Sequence, residues 1–426
     1  MRSIRWAWVR AVPLTLALAG IVLTAAARAD NPAEVFELPR VEVIGTTPLP
    51  GLGTELSDVP ANVQIFGNRD LARQRPLDLT GFLDRNANSV GVGSGQGNPY
   101  QQDLSFRGFA ASPLLGTPQG ISVFLDGVRI NEAFGDVVNW DFLPRSAIST
   151  IQLIPGSNPV FGLNTLGGAL SVYTKSGAQY PGAAVELSTG SFGRRSAQFE
   201  YGGARDSFDY FLTGNAAADN GWAEHNPSRL RQFFGKVGLQ DERSDFDLST
   251  SIADNKLQGT QTLPVSFLDT PRQSYTFPDT NRNRLVLVAA KGSRFLSDSM
   301  LLGGNVYHRR YRNDNVSSNV NNGYGVLDPV TGQAQLNQAT NDRSQIDQRS
   351  WGAGLQLTSQ ASIASHVNQF VMGISVDAGD TRFTQQSQPA MFTADRATIV
   401  AGDYAPETDV GTSNRYLGVF FADTLS

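Results

Sequence analysis

Few side chains in this sequence have the type and spacing that chemistry requires. The three histidines, His225, His308 and His366, are far apart and show none of the short spacings typical of a metal site. No cysteine is present, so thiol chemistry, disulfides and iron–sulfur ligation are excluded. No Ser/His/Asp arrangement or carboxylate pair stands out. The sequence therefore predicts a protein that is not an enzyme and that holds no metal or other cofactor.

Residues suited to binding rather than catalysis cluster in three loops, at 92–102, 110–119 and 131–140. Aromatic faces together with amide groups are the mixture expected of a site that holds a bulky polar solute. The alternative is that these loops only pack against another part of the protein. The candidate ligand-binding residues are Tyr100, Gln101, Gln102, Phe134, Asn139 and Trp140.

The elements that position these loops begin after an export signal. Three arginines precede an apolar run, and Ala-Arg-Ala at 27–29 is a cleavage pattern, so 1–29 is predicted to be a signal peptide. An uncleaved helical anchor is the alternative. Residues 30–53, rich in Pro and Gly, predict a mobile tether with one strand-like segment at 41–47. That segment either adds as a strand to another protein's sheet or is a plain linker.

Residues 54–177 predict a compact α+β domain. Apolar residues recur at helical spacing in 68–75 and 77–86, and Pro76 separates the two segments. Strand-like segments joined by Gly-rich loops follow. Asp126-Gly127 predicts a tight turn, because Gly tolerates a positive φ.

From 183 to 426 the sequence alternates with a period of two. In "DFDLSTSI", Phe246, Leu248 and Ile252 share one face, and the aspartates and serines share the other. Repeats of this kind separated by turns are typical of a transmembrane β-barrel with lipid outside and water inside, and short loops are expected to alternate with long ones at 254–281 and 312–345. A secreted β-sandwich also alternates and is the alternative. The formal net charge of -5 offers no basic surface for nucleic acid.

The size of the domain at 54–177 constrains the barrel. A globule of about 120 residues has a radius of gyration of about 14 Å, which is too wide for an eight-stranded barrel. About ten strands are predicted in 183–426, too few to enclose that domain, and the last segment stops in mid-strand. We therefore expect an N-terminal part of a longer protein, unable to transport by itself.

Three motifs resemble the signatures of the TonB-dependent outer-membrane receptor family. They are "LSFRGF" at 104–109, "VFLDGVRI" at 123–130 and the long Gly-rich segment at 151–177. Phe161 stands where Tyr is commoner in the family, and Pro155 where Arg often precedes the Gly. The resemblance implies an α+β plug domain followed by an antiparallel transmembrane β-barrel, 22-stranded in the family and only partly present here.

The resemblance also implies roles for individual residues. The segment at 41–47 takes the place of the TonB box, so Val41, Glu42, Val43 and Ile44 are expected to pair with a TonB-type inner-membrane energy transducer. Arg107, an internal charge on a strand, is expected to form an ion pair with a carboxylate of the barrel wall. The residues with an expected structural role in the plug are Arg107, Gly108, Asp126, Gly127, Gly156, Gly162, Gly167 and Gly168.

The function implied is energy-coupled import of a scarce solute across the outer membrane, with membrane lipid and a small solute as further partners. A ferric siderophore, a metal chelate, is the leading cargo, and cobalamin, haem or an oligosaccharide are alternatives. From a different class, an exported β-sandwich that acts as a binding module or adhesin remains an alternative.

Overall fold

The computed structural model describes residues 43–142, 144–327, 329–332, 338–363, 366–393 and 395–425. The predicted signal peptide and the tether up to residue 42, with Val41 and Glu42, lie outside the described residues. Two parts follow each other along the described chain: a small α+β domain, the plug, and a long antiparallel sheet, the wall. No helix within the described ranges is long and apolar enough to cross a membrane.

In the described residues the plug contains two α-helices and ten short strands. These are β1 (Val43–Ile44), β2 (Thr54–Glu55), β3 (Gln64–Gly67), α1 (Asn68–Gln74), α2 (Leu79–Asn86), β4 (Val90–Gly93), β5 (Asp103–Phe106), β6 (Phe109–Ala111), β7 (Ile121–Leu125), β8 (Val128–Arg129), β9 (Ile148–Pro155) and β10 (Gly168–Thr174). The main sheet has the order β3-β9-β10-β7-β8, in which only β10 and β7 are parallel. Two small antiparallel sheets, β4-β5-β6 and β1-β2, flank it.

Both predicted helices are confirmed, and local hydrogen bonds fix where they begin. The Asp70 carboxylate accepts the Gly67 N–H at 3.0 Å at the start of α1, and Asp78 accepts the Gly81 N–H at 2.6 Å at the start of α2. These bonds satisfy N–H groups that have no partner inside the helix. The helix α2 buries Phe82 and Leu83, both 0% exposed, in the core beneath the main sheet.

The segment at 43–53 is packed, in contrast to the predicted mobile tether. Ile44 and Leu49 are 1% and 7% exposed, because these apolar side chains find room beside the plug and the wall. The Gln369 amide of the wall donates to the Gly53 carbonyl at 3.1 Å and accepts from Thr54. The described part of the tether is therefore docked.

Arg107 differs from its prediction. It lies in the turn between β5 and β6 with a φ of 51°, not within a strand, and its side chain is exposed. Its guanidinium lies 5.2 Å from the Phe106 ring centroid, and no ion pair of Arg107 is present among the described residues. Within the described residues the left-handed turn directs this side chain to solvent, and the ion pair of Arg107 with the wall stays a prediction.

The wall is one antiparallel sheet of eleven strands in the described residues, close to the predicted count. Each strand pairs with the next from the first to the ninth, and the last two both pair with the ninth. The strands are β11 (Gly182–Thr189), β12 (Arg195–Arg205), β13 (Phe208–Asp219), β14 (Ser228–Gln240), β15 (Ser244–Gln258), β16 (Asp279–Ser297), β17 (Met300–Val320), β18 (Ala339–Ile363), β19 (His366–Phe392), β20 (Thr398–Val400) and β21 (Ala405–Leu425).

The predicted period-two pattern of the wall is confirmed. On β15 the apolar Phe246, Leu248 and Ile252 are 46%, 43% and 44% exposed. The intervening Asp247 and Ser251 are 8% and 3% exposed, because they face the plug. The outward face is therefore apolar and the inward face polar, the reverse of a soluble protein.

The outward face changes from apolar to charged at one level of the wall. On β16 the outward Val286 and Val288 give way to Arg284 and Arg282 in the direction of the long connections at 220–227, 259–278, 321–338 and 393–404. Ion pairs link neighbouring strands here, as between Arg282 and Asp254 at 2.8 Å. We call this row the charged belt; its members are Asp254, Arg282, Arg284, Arg310, Asp314, Asp347, Arg382 and Asp409.

Candidate functional site

The turn at Asp126-Gly127, predicted from sequence, joins β7 to β8. The two residues have φ of 48° and 86°, and Leu125 pairs with Val128 across the turn. This left-handed conformation favours glycine at the second position. A Cβ atom on Gly127 would lie 2.5 Å from the Pro48 carbonyl oxygen, so the turn also lies directly against the docked N-terminal segment.

The Asp126 carboxylate is the centre of a buried ion-pair network between plug and wall. Lys236 of β14 lies 3.1 Å from it and Lys291 of β16 lies 3.8 Å from it. Asp247 of β15 completes the network, 3.7 Å from Lys236 and 3.2 Å from Lys291. We call Asp126, Lys236, Asp247 and Lys291 the latch. It ties the β7–β8 turn to three neighbouring strands of the wall.

The charge of Asp126 is stabilised in place. Burial alone raises a carboxyl pKa, but Lys291, Lys236 and the hydrogen bonds from Thr174 outweigh it and hold the pKa of Asp126 well below its ordinary value. The Thr174 N–H donates to the carboxylate at 2.9 Å. Asp126 thus stays ionised throughout the neutral and mildly acidic range.

A second buried contact surrounds Glu132 in the loop after β8. Gln348 of β18 donates to its carboxylate at 2.6 Å, and the Arg309 guanidinium of β17 lies 3.5 Å away. All three side chains are buried, at 1% exposure for Glu132, 3% for Arg309 and 0% for Gln348. Burial raises the pKa of Glu132, and Arg309 only partly opposes it. The plug therefore meets the wall through buried ionisable side chains at two separate places.

Asp141 makes a third contact, with amides instead of cations. Asn255 of β15 donates to its carboxylate at 2.9 Å and Asn283 of β16 at 3.1 Å. Burial raises the pKa of Asp141 to about 6, although the two amide donors act in the opposite direction. No cation pairs with Asp141 among the described residues, and this explains why its pKa rises while that of Asp126 falls.

We expect docking of the plug to strengthen on mild acidification. Because the pKa of Asp141 is about 6 when docked and 3.8 ordinarily, the docked state binds the proton more tightly. Its contribution to docking is full below the ordinary pKa and is lost as the pH rises through 6, a change of about 2 kcal/mol between pH 4 and pH 7. Urea titrations at several pH values, followed by a fluorophore on Arg107→Cys, measure this, and Asp141→Asn should flatten the pH profile. An unchanged profile in Asp141→Asn contradicts the assignment.

The predicted ligand-binding residues fall into two environments. Tyr100, Gln101, Asn139 and Trp140 are buried; Tyr100 packs against Leu230 and Leu257 of the wall. Phe134 and Gln102 are only half buried. The Phe134 ring stacks on Phe383 of β19 with centroids 5.6 Å apart, and Gln102 accepts from Thr80 at 2.8 Å. Their role in binding stays a prediction.

Two cavities lie beside the predicted binding loops. The Phe134 cavity, of 470 Å³, is lined by Thr117 and Gln119 as well as Phe134, so it joins the loops at 110–119 and 131–140. The Trp222 cavity, of 540 Å³, is lined by Ser94 and Gln102 from the loop at 92–102 and by Trp222 and Gln273 from the long connections. The structure therefore brings two of the three loops together and places the third at another part of the wall.

A third cavity, the latch cavity, lies beside the docked N-terminal segment. Its volume is 590 Å³, and it is lined by residues 48–53, by Ile44 and by all four members of the latch. The strand β1 pairs antiparallel with β2, Val43 with Glu55 and Ile44 with Thr54. The Ile44 side chain packs in an apolar cluster with Phe124 and Phe161. The described part of the predicted TonB-interacting segment is thus folded onto the plug.

The expected structural glycines lie where the chain turns or approaches itself closely. Gly108, Gly156 and Gly162 have positive φ, and Gly167 lies against Phe109. A Cβ atom on Gly168 would lie 2.6 Å from the Ile154 carbonyl, so β10 and β9 meet there without room for a side chain. Their role remains a prediction from the resemblance, with geometry that suits it.

Sequence reasoning did not identify the charges that dock the plug. Asp126 was explained by its turn, and Glu132 and Asp141 stand in loops considered only for their aromatic and amide neighbours. The available signal was an acidic residue inside an apolar stretch, as in "VFLDG" and "NWDFLP". In the described part of the chain no group of three or more His, Asp or Glu side chains is placed to hold a metal ion.

Comparison with known proteins finds similarity in sequence over the plug. Residues 55–169 match the family model of the TonB-dependent Receptor Plug Domain. The vitamin B12 transporter BtuB of Vibrio cholerae is 24% identical over 136 residues, which is 32% of this chain and 21% of that protein.

Solved structures resemble the whole described fold. The ferric citrate transporter FecA in its unliganded form matches with a TM-score of 0.67 and 14% identity over 87% of this chain and 54% of that one. BauA, the ferric preacinetobactin receptor from Acinetobacter baumannii, matches with a TM-score of 0.66 and 12% identity over 88% of this chain and 56% of that one. The chain thus spans about half the length of these structures.

Proposed function

We propose that this chain, in which a plug domain of the TonB-dependent receptor type precedes a receptor-type wall, serves an energy-coupled importer of the outer membrane. The observation that carries the proposal is the docking of the plug. A domain held by buried ion pairs against a wall with an apolar outer face blocks a passage and can be released. Such an arrangement transports by opening and needs no chemistry on the solute.

The outer face of the wall supports a location in lipid. Large apolar side chains such as Leu355, Met372 and Phe421 are 51%, 50% and 78% exposed. In a β-sandwich these side chains would be covered by a second sheet, whereas here the plug covers the opposite, polar face. The hypothesis of an exported β-sandwich module or adhesin is therefore weaker than that of an importer. Export through a signal peptide cleaved after residue 29 belongs to the same proposal.

The leading cargo is a ferric siderophore, supported by structural relatives named for ferric citrate and ferric preacinetobactin. The vitamin B12 transporter among the sequence relatives supports cobalamin as the second candidate. The solute would first meet Gln102, which lines the Trp222 cavity beside the long connections, and then Phe134, which lines the other cavity. Tyr100, Gln101, Asn139 and Trp140 would become accessible only when the plug moves.

Coupling would run from β1 to the latch. An inner-membrane transducer that pairs with the segment at 41–47 must first draw Ile44 out of its apolar cluster, at a cost of about 1.5–3 kcal/mol. The pull then passes to Pro48, whose carbonyl lies against Gly127. Because Gly127 adjoins Asp126, displacement of this turn strains the latch and favours release of the plug.

Solute uptake tests the proposal. The whole receptor is expressed in cells that lack other receptors, and uptake of ferric citrate, a ferric catecholate and cobalamin is measured with and without a functional transducer. We expect transducer-dependent uptake of one ferric chelate. Equal uptake without the transducer, or recovery of the protein in the soluble fraction, would refute the importer, while uptake of cobalamin alone would change only the cargo.

A further inference from the structure

Arg396, in the connection between β19 and β21, is enclosed by four aromatic rings from three parts of the chain. Its guanidinium carbon lies 4.4 Å from the ring centroid of Phe392 and 5.0 Å from that of Tyr275. The rings of Tyr324 and Phe267 are 5.2 Å and 5.3 Å away. The residue is only 9% exposed although it stands in a surface connection. A cation stacked among several ring faces in this way is strongly held.

Hydrogen bonds fix the same guanidinium to two other connections. Its Nε donates to the Tyr275 carbonyl at 2.8 Å, and its Nη1 donates to the Tyr324 hydroxyl at 2.9 Å. Tyr275 belongs to the connection at 259–278 and Tyr324 to the connection at 321–338. One side chain thus joins three long connections, each of which leaves a different pair of wall strands.

Backbone contacts continue this junction. The Phe277 N–H donates to the Arg396 carbonyl at 3.1 Å, and the Thr398 N–H donates to the Phe277 carbonyl at 2.9 Å. The connection at 259–278 is also bound on its other side, where the Arg272 guanidinium donates to the Trp222 carbonyl at 2.8 Å. The connection at 259–278 is therefore held between Arg396 and Trp222.

The same connection forms one side of the Trp222 cavity. Thr260, Leu263 and Gln273 line it opposite Ser94 and Gln102 of the plug. We propose that Arg396 is a positioning residue: by holding the connection at 259–278 against Tyr324 and Phe392, it sets the shape of the Trp222 cavity without lining it. The inference rests on the proposed function only for the identity of that cavity as a place where solute enters.

The proposal predicts that the planar guanidinium matters beyond its charge. Lysine keeps the cation but cannot donate along two directions from one plane while stacked on rings. Arg396→Lys should therefore restore part of the order that Arg396→Gln removes. A residue that contributed only to general stability would show no such graded recovery at the cavity.

Distance measurements between two spin labels test this directly. Since the chain has no cysteine, Ser94→Cys and Gln273→Cys place labels on opposite sides of the Trp222 cavity without background. Labels at Glu242→Cys and Asp298→Cys, in two short turns at the opposite rim, serve as the control pair. Arg205→Gln, at a side chain that is 93% exposed, is the matched substitution.

We expect Arg396→Gln to widen the distance distribution between 94 and 273 about twofold or more, with Arg396→Lys intermediate and the control pair unchanged. An unchanged distribution in Arg396→Gln would overturn the proposal, and so would equal widening of the control pair, since that would indicate general loosening. No solute is present in the distance measurement. Its result can therefore contradict the role of Arg396 while the importer proposal holds, or support that role while the importer proposal is refuted.

Discussion

Asp126→Asn is expected to weaken docking of the plug by about 3–5 kcal/mol, because it leaves Lys236 buried with only the more distant Asp247 as counter-charge. Asparagine keeps an oxygen for the Thr174 N–H, so the change isolates the charge. A fluorophore on Arg107→Cys reports release of the plug from the wall in a urea titration. The urea concentration at the midpoint of this release should fall markedly, while the strands of the wall stay folded.

Two further variants make this result interpretable. Asp206→Asn changes an aspartate whose side chain is 91% exposed, and its effect should stay within about 0.5 kcal/mol. Asp126→Asn combined with Lys236→Gln removes both charges and leaves Asp247 paired with Lys291 at 3.2 Å. The loss of docking free energy in this double variant should be smaller than the sum of the losses in Asp126→Asn and Lys236→Gln alone. Strict additivity, or a wild-type midpoint in Asp126→Asn, would show that the latch does not hold the plug.

Val43→Pro is expected to reduce energised uptake about 100-fold while solute binding stays unchanged. Proline removes a backbone donor from β1, and leaving the partner carbonyl unsatisfied costs about 1–3 kcal/mol; the upper end of that range corresponds to the factor of about 100. The partner strand of a transducer needs this donor whatever the side chains are.

Val43→Thr keeps both the donor and the branched Cβ, so it is the matched control and should transport normally. Uptake is measured with the solute identified by the panel above, and binding is measured on de-energised cells. Normal uptake by Val43→Pro would exclude strand pairing at this position. Loss of binding together with uptake would instead indicate that the plug itself had been damaged.

Local patterns predicted most of the fold. Asp126-Gly127 predicted its turn because only a few residue types tolerate left-handed φ, and the alternation at 246–252 predicted which side of β15 faces the plug. The strand expected at Arg107 is interrupted for the same kind of reason, because the Arg-Gly pair forms a two-residue left-handed turn.

The docking charges could not be predicted, because their partners are distant in sequence. Lys236 and Lys291 stand 110 and 165 positions after Asp126, and nothing local marks them as inward-facing cations that meet one turn. The length of the wall strands could not be predicted from the sequence either. Polar sequences near 312–345, predicted as loop, continue as β17 and β18, since cross-strand pairs of polar residues support a sheet as well as apolar ones.

The charged belt has a consequence for where a solute first meets the protein. For a wall seated in lipid, the belt marks the upper limit of the hydrocarbon, yet β17 continues from Arg310 to Val320 and β19 from Arg382 to Phe392. Ten further residues of tilted strand rise roughly 25 Å. The aromatic enclosure of Arg396 therefore lies above the bilayer surface, near the outer ends of the wall strands. Solutes would be captured from bulk water at that height and descend through a hydrated vestibule before they reach the plug.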